Sequence, residues 1–302
     1  VYELSQQLAA ESNQVELCLA GTGKQSQDAC VTLTQFTSST ESLPKRLWVA
    51  YHQFPKRSLQ LPDAINLHFA LYSFPIINRL PKGVPVTFTF HGPWAAESTR
   101  EGQHSLGTWA KHWLEQQVYQ RCDRFIVLSK AFGTILHETY GIPWEKIHII
   151  PGGVNTTQFQ PSLTRSEARS QLGWASDRKI LFTPRRLVRR MGVDKLLTAM
   201  VQVKQQVPEV WLAIAGKGPL RESLEQQARE LGLDNYVKFL GYLPDDQLPI
   251  AYQAADLTVV PSQSLEGFGL ILLESLASGT PALCTPVGGM PEVLTPLSSH
   301  LI

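Results

Sequence analysis

Two carboxylates, Glu266 and Glu274, bracket the triplet Gly267-Phe268-Gly269 in the stretch "SLEGFGLILLESLASGTPALCTPVGG" (264–289). The same eight-residue separation recurs at Glu3/Glu11 and Glu222/Glu230, both on ordinary surface-helix patterns, so spacing alone carries no chemistry. The setting of Glu266 does. It follows the strand-like run "LTVVPS" and precedes glycines that let backbone approach a ligand closely. An apolar helix then starts, and the bare N–H groups of its first turn favour an anion, phosphate above all. Glu274 lies five residues beyond Gly269, roughly 7–8 Å further along a helix.

An ionised carboxylate only accepts hydrogen bonds, which suits sugar hydroxyls. A diphosphate at the helix start, flanked by a sugar on one side and a ribose on the other, would use both carboxylates. The plainer alternative makes Glu266 a charge complementing the helix dipole, worth ~0.3–1 kcal/mol, with Glu274 facing solvent. Glu274 sits inside "LILLESLA", a poor place for a solvated charge. Two further polar groups fall at the ends of strand-like runs, where ligands of α/β folds collect. His91 follows "VTFTF", and Arg186 follows "KILFTP" within "PRRLVRRMG".

The elements that must position these residues are short β-branched runs alternating with helical patterns. In the first half the strands are expected at 15–20, 65–70, 86–90, 124–129 and 147–151, with helices at 107–122 and 130–141. In the second half strands are expected at 179–184, 210–216, 237–241, 257–262 and 281–285, separated by four amphipathic runs. Strands of this length with helical crossovers imply parallel sheets covered on both faces. The fold class is therefore α/β: two Rossmann-like, doubly wound domains facing a cleft. Pro, Gly, Thr and Ser concentrate in "PGGVNTTQFQPSLTRSEARS", so the domains are placed at 1–163 and 164–302.

Composition narrows the function classes. With 302 residues, 43% hydrophobic and 18% charged, the chain reads as globular, and a net charge of +1 argues against a nucleic-acid partner. Four cysteines without paired short spacing point to a reduced, cytoplasmic setting rather than to disulfides or zinc. No apolar run approaches the roughly 18 residues of a membrane span.

Taken in order, "FTFHGPWAAES", "PGGVNTTQFQP", "RRLVRRMGVDKLL", "AIAGKGPLRESLE", "VKFLGYLPDDQLPIAYQAADLTVVPS" and "EGFGLILLESLASGTPALCTPVGGMPEVL" resemble the motifs of the retaining glycosyltransferases of family 4, which adopt the GT-B fold. The resemblance implies transfer of a hexose from a UDP- or GDP-sugar to a glycan or lipid-linked acceptor, as in cell-envelope polysaccharide synthesis, with the anomeric configuration kept and no metal or other cofactor. It makes His91, Arg186 and Glu266 catalytic. Glu266 would contact sugar hydroxyls, and Phe268, Gly269 and Leu270 would offer amides to sugar and phosphate. Glu274 would hold the ribose, and Gly241, Tyr242 and Leu243 would border the base. Where the family usually has a lysine before the glycine of the arginine-rich motif, this chain has Met191, and Arg190 is expected to replace it, with a different reach.

The resemblance also implies a fragment, since family members begin with a further strand and glycine-rich loop and end with further helices. The segment "KRLWVAYHQFPKR" (45–57) interleaves basic and aromatic residues, the composition of a peripheral contact with an anionic membrane at the inner face. Its alternative is a helix or loop with core-facing aromatics. Competing functions are a GT-B phosphorylase, which would need a covalently held pyridoxal phosphate, a sugar-nucleotide epimerase, and a non-catalytic nucleotide-sugar-binding module.

Overall fold

The computed structural model describes residues 1–20, 31–54, 61–102, 106–160 and 163–297. The chain forms two compact units that do not follow chain order. The first comprises residues 1–95, 105–126 and 142–148; the second comprises 96–104, 127–141 and 149–302.

The first unit begins with two parallel strands, β1 (Val15–Leu19) and β2 (Val31–Gln35), in register from Val15↔Val31 to Leu19↔Gln35. A sheet of four follows in the order β3 (Ile65–Leu67), β4 (Val86–Thr89), β5 (Arg124–Val127) and β6 (Ile147–Ile149), with β3, β4 and β5 parallel and the last two strands ending in residues of the second unit. β4 and the residue after it are buried: Val86 is out of contact with solvent, and the rings of Phe88, Phe90 and Phe125 each meet Tyr119 edge to face. β2 was not anticipated. β3 stops three residues short of expectation because Ala70 already opens the helix Ala70–Ser73.

The second unit carries five parallel strands in the order β11-β10-β7-β8-β9: β7 (Lys179–Pro184), β8 (Val210–Ala215), β9 (Val237–Gly241), β10 (Leu257–Val260) and β11 (Ala282–Cys284). Alternation along β8 shows how both faces are covered. Val210, Leu212 and Ile214 join one core with Leu197, Met200 and Leu224 from the helices Val193–Gln206 and Arg221–Glu230. Ala213 and Ala215 face the other, with Phe182, Trp174 and Tyr252. Side chains at successive positions leave opposite sides of the sheet, so a strand buried on both faces must be apolar throughout, as "VWLAIA" is. All five strands are parallel, so their carboxyl ends lie along one edge, and the chain leaves that edge at Arg185, Gly216, Tyr242, Pro261 and Thr285.

The helix Lys130–Tyr140 belongs to this second unit although it precedes most of it in sequence. Ser129 caps it by accepting from the Phe132 amide, and Gly141 closes it at φ 70°, a left-handed conformation suited to glycine. Its first amides, Lys130 N and Ala131 N, donate to the Glu292 carboxylate at 2.9 and 3.0 Å.

Among the described residues no helix is long and apolar enough to cross a membrane, and no cluster of His, Cys, Asp and Glu has the makings of a metal site. Cys18, Cys122 and Cys284 are free thiols, and burial pushes the pKa of Cys122 up to about 12. Cys30 lies outside the described residues.

Candidate functional site at the carboxyl edge of the second sheet

The loop after β10 turns through Leu265, whose φ of 55° is left-handed for a non-glycine residue, and brings Glu266 to the sheet edge. Glycines make the turn possible. A Cβ on Gly192 would stand 1.9 Å from the Pro261 carbonyl oxygen, and one on Gly288 would stand 1.9 Å from that of Glu266. The loop is pinned further by Gln263 N donating to Arg190 O (2.8 Å), Gly289 N to Glu266 O (3.0 Å) and Ser129 Oγ to Gly267 O (2.6 Å).

Gly269, at φ 85°, is the N-cap of the helix Leu270–Ala277, and no side chain caps its amides. Phe268 is buried against Gly152, where a Cβ would meet Leu270 at 2.8 Å and Phe268 at 3.2 Å. Leu270 is exposed at the helix start. Glu274, half-buried one turn on, accepts a 2.7 Å hydrogen bond from the Tyr252 hydroxyl. Tyr252 is fully buried, and burial followed by the Glu274 charge raises its pKa well above the usual phenol value. It therefore stays a donor at any physiological pH.

Glu266 is held by a residue that the motif did not single out. The guanidinium of Arg185, 7% exposed, pairs with the Glu266 carboxylate and with Ser262 Oγ. Its neighbour Arg186 is exposed. Adjacent residues on an extended chain point to opposite sides, and here the inward one is Arg185. Arg190 is also buried. It donates to Leu265 O at 3.1 Å and pairs with Glu97 (3.2 Å) and Glu101 (3.8 Å). Burial pushes the Glu97 carboxyl up, opposed by Arg190 and reinforced by Glu101. Met191 is buried and carries no charge to the edge.

The remaining expected positions are spread along the same sheet. β8 and β9 shift register at Ile214/Ala215, where Gly216 N donates to Gly241 O at 2.6 Å. Tyr242 beyond it is exposed, with the Lys217 ammonium 5.1 Å above its ring, while Leu243 packs into the core. His91 lies in the first unit, at the carboxyl end of β4. The residue is exposed, yet its ring packs against Phe69 and lies within hydrogen-bond distance of His68, and the lost water pulls its pKa below the usual histidine value.

The second unit thus gathers Glu266, Arg190 and Glu274 with Phe268, Gly269, Leu270 and the glycine turns. Arg185, Ser262, Glu97, Glu101 and Tyr252 are additions of the structure. Of these, only Arg185 had a local signal, as one of four arginines at a strand end.

Two α/β units built on parallel strands, one with an uncapped helix N-terminus and two acidic residues along its carboxyl edge, make up a GT-B glycosyltransferase fold. Residues 1–158 match the sequence model of Glycosyltransferase Family 4, and residues 164–302 match that of Glycosyl transferases group 1. The chain belongs to glycosyltransferase family 4. It is 30% identical over 220 residues to the mannosylfructose-phosphate synthase of Agrobacterium fabrum, which covers 62% of this chain and 48% of the relative. The chain spans about half the length of the curated relatives it matches. The sucrose-phosphate synthase from Thermosynechococcus elongatus superposes with a TM-score of 0.81 at 23% identity, over 97% of this chain and 76% of that one. The Anabaena HepE protein in complex with UDP-glucose gives 0.71 at 20% identity, over 93% and 83%.

Proposed function

We propose that the chain is part of a retaining hexosyltransferase that draws on a nucleoside diphosphate sugar, UDP- or GDP-linked, and glycosylates a glycan or lipid-linked acceptor. The observation that carries this reading is the helix Leu270–Ala277, whose uncapped amides lie between Glu266 and Glu274. In this reading the diphosphate sits at Gly269 and Leu270, with the Phe268 amide beside the sugar. Glu266 accepts from the sugar hydroxyls and Glu274 from the ribose, while Gly241, Tyr242 and Leu243 border the base. Arg186, Arg190 and the helix amides offset the charge that develops on the departing diphosphate.

In the reaction the bond from the anomeric carbon to the phosphate oxygen breaks, and a bond to the acceptor oxygen forms on the same face. The acceptor's proton passes to the leaving phosphate oxygen. His91 contributes from the first unit, on the reading that residues 1–163 hold the acceptor and residues 164–302 the donor. A cytoplasmic enzyme of cell-envelope polysaccharide synthesis, touching the inner membrane face, fits this scheme. In the helix Leu43–Gln53, Trp48 is 63% exposed, although Arg79 covers Tyr51 at 3.7 Å. Residues 55–57 of the basic-aromatic segment lie outside the described residues.

The test is a metal-free thermal-shift screen against UDP, GDP, ADP and their common sugar conjugates. Binding to the native state raises the melting temperature by mass action. A rise with one nucleotide series that is lost in Glu274→Ala supports the donor site and names its base. No rise with any of them, in a folded protein, refutes it. The buried, uncharged Met191, which stands where the resemblance places a lysine, favours a second reading: a module that binds the donor without transferring it. That module would give the shift and no turnover.

A further inference from the structure

Next to His91 the first unit holds a chain of hydrogen bonds that the motifs did not reveal. Thr89 Oγ1 lies 3.1 Å from Asn66 Oδ1, Asn66 Nδ2 lies 3.4 Å from His68 Nε2, and His68 Nδ1 lies 3.0 Å from His91 Nε2. The two imidazoles are inclined by only 21° with centroids 5.3 Å apart. That is the separation of two five-membered rings meeting edge to edge across a 3.0 Å N···N line. The contact is an in-plane hydrogen bond between imidazoles rather than a face-to-face stack.

Such a bond needs one N–H and one lone pair, and burial lowers the pKa of both rings, so at neutral pH it joins two neutral imidazoles and has a direction. Two directions are self-consistent, and the orientation of the Asn66 amide chooses between them. With Oδ1 towards Thr89, the buried threonine hydroxyl donates to it, and Nδ2 donates to His68 Nε2. His68 then carries its proton on Nδ1 and donates to His91 Nε2, leaving the His91 proton on Nδ1. With the amide turned over, the threonine hydroxyl would accept instead. Its own proton would have no acceptor among the described residues, and a buried donor left unpaired is costly.

We propose that His68 is the positioning residue for His91: through Asn66 and Thr89 it holds His91 as the neutral tautomer protonated at Nδ1. His91 then meets its ligand as a hydrogen-bond donor to an oxygen and does not act as a base through that nitrogen. The inference rests on the reading of His91 as a ligand contact, and it goes beyond that reading by fixing what the residue offers. Burial, followed by the charge of His91, lowers the pKa of His68 to about 4, which keeps the ring neutral above mild acidity. The partner for His91 is thus an acceptor oxygen, such as a sugar hydroxyl or a phosphoryl oxygen.

The experiment is two-bond 1H–15N correlation NMR of the imidazoles in the 15N-histidine-labelled full chain at pH 8, assigned with His68→Phe and His91→Ala. Both His68 and His91 are expected to show a protonated Nδ1 and a bare Nε2. Asn66→Asp, at an exposed position, removes the donor to His68 and is expected to reverse the chain, placing the His91 proton on Nε2. His68→Phe is expected to release His91 to a mixture of tautomers. A wild-type His91 protonated at Nε2 overturns the proposal, and so does a tautomer that ignores both substitutions. If the tautomers are as expected while His91→Ala transfers sugar at the wild-type rate, the tautomer assignment stands. The reading of His91 as a ligand contact then falls.

Discussion

The pair Arg185–Glu266 decides whether the sheet edge is a rigid frame or a solvated surface. The side chains are 6% and 15% exposed, much nearer the buried than the exposed limit. Breaking a buried pair by removing one partner costs about 3–5 kcal/mol, because the survivor is an uncompensated charge. An exposed pair is worth about 0–1 kcal/mol. Glu266 keeps some water and Ser262 as a partner, so Arg185→Met, which retains the aliphatic stem, is expected to cost about 2–3 kcal/mol. For a unit of this size that is a drop of roughly 4–12 °C in melting temperature. Glu266→Gln leaves Arg185 as the buried, unpaired charge and is expected to cost a similar amount. The double variant leaves neither charge and should recover at least ~1.5 kcal/mol of the summed loss. Urea unfolding followed by circular dichroism supplies the four free energies. Losses that add to within ~0.5 kcal/mol would refute the reasoning, since independent sites behave that way.

Three other outcomes follow from the same geometry. Tyr252→Phe removes one hydroxyl and the hydrogen bond that orients Glu274, so nucleoside diphosphate affinity should fall about 5-fold, corresponding to ~1 kcal/mol, by titration calorimetry. Unchanged affinity would detach Glu274 from the nucleotide. Gly192→Ala places a Cβ against the Pro261 carbonyl at a φ of 70° and should cost at least ~2 kcal/mol in unfolding free energy, with a matching fall in melting temperature. For His68 the folded pKa, about 4, lies below the unfolded value near 6.5. Between these values the unfolded chain binds more protons, so the stability held above pH 6.5 is lost as the pH falls to about 4. Relative to His68→Phe, which cannot titrate there, the wild type should lose ~1–3 kcal/mol across that window, read from urea midpoints at each pH.

How much of this was legible varies with the range of the interaction. β7 and β9 coincide with "KILFTP" and "VKFLG", short β-prone runs bounded by polar and turn residues; β7 is mostly buried inside the sheet, while β9 at its edge exposes Lys238. The helix Lys130–Tyr140 was equally plain, its stop written by Gly141 and Pro143. β2, "VTLTQ", was missed because threonine and glutamine in a short run read as loop, and it is pairing with β1 that makes it a strand. The helix Trp94–Arg100 was not foreseen either, and with it went Glu97 and Glu101, which meet an arginine some ninety positions away. The arginine cluster was visible, but the choice of Arg185 as the inward member was not. Residue type is the same at 185 and 186, and only the phase of the extended chain separates them.

The dependence of the helix Lys130–Tyr140 on Glu292 has a consequence for the order in which the protein is made. The amides of Lys130 and Ala131 wait for a carboxylate that lies 162 and 161 residues later in the chain. At roughly 5–20 residues per second of synthesis, that carboxylate arrives about ten to thirty seconds after the helix has been translated. During this interval Phe132, 2% exposed in the finished protein, has no Gly267 to lie against. A nascent chain stalled anywhere in the interval presents a sticky, half-capped helix, the kind of surface that chaperones recognise. A portion that begins at residue 164 would leave behind the helix Lys130–Tyr140 and the segment 96–104 of its own unit.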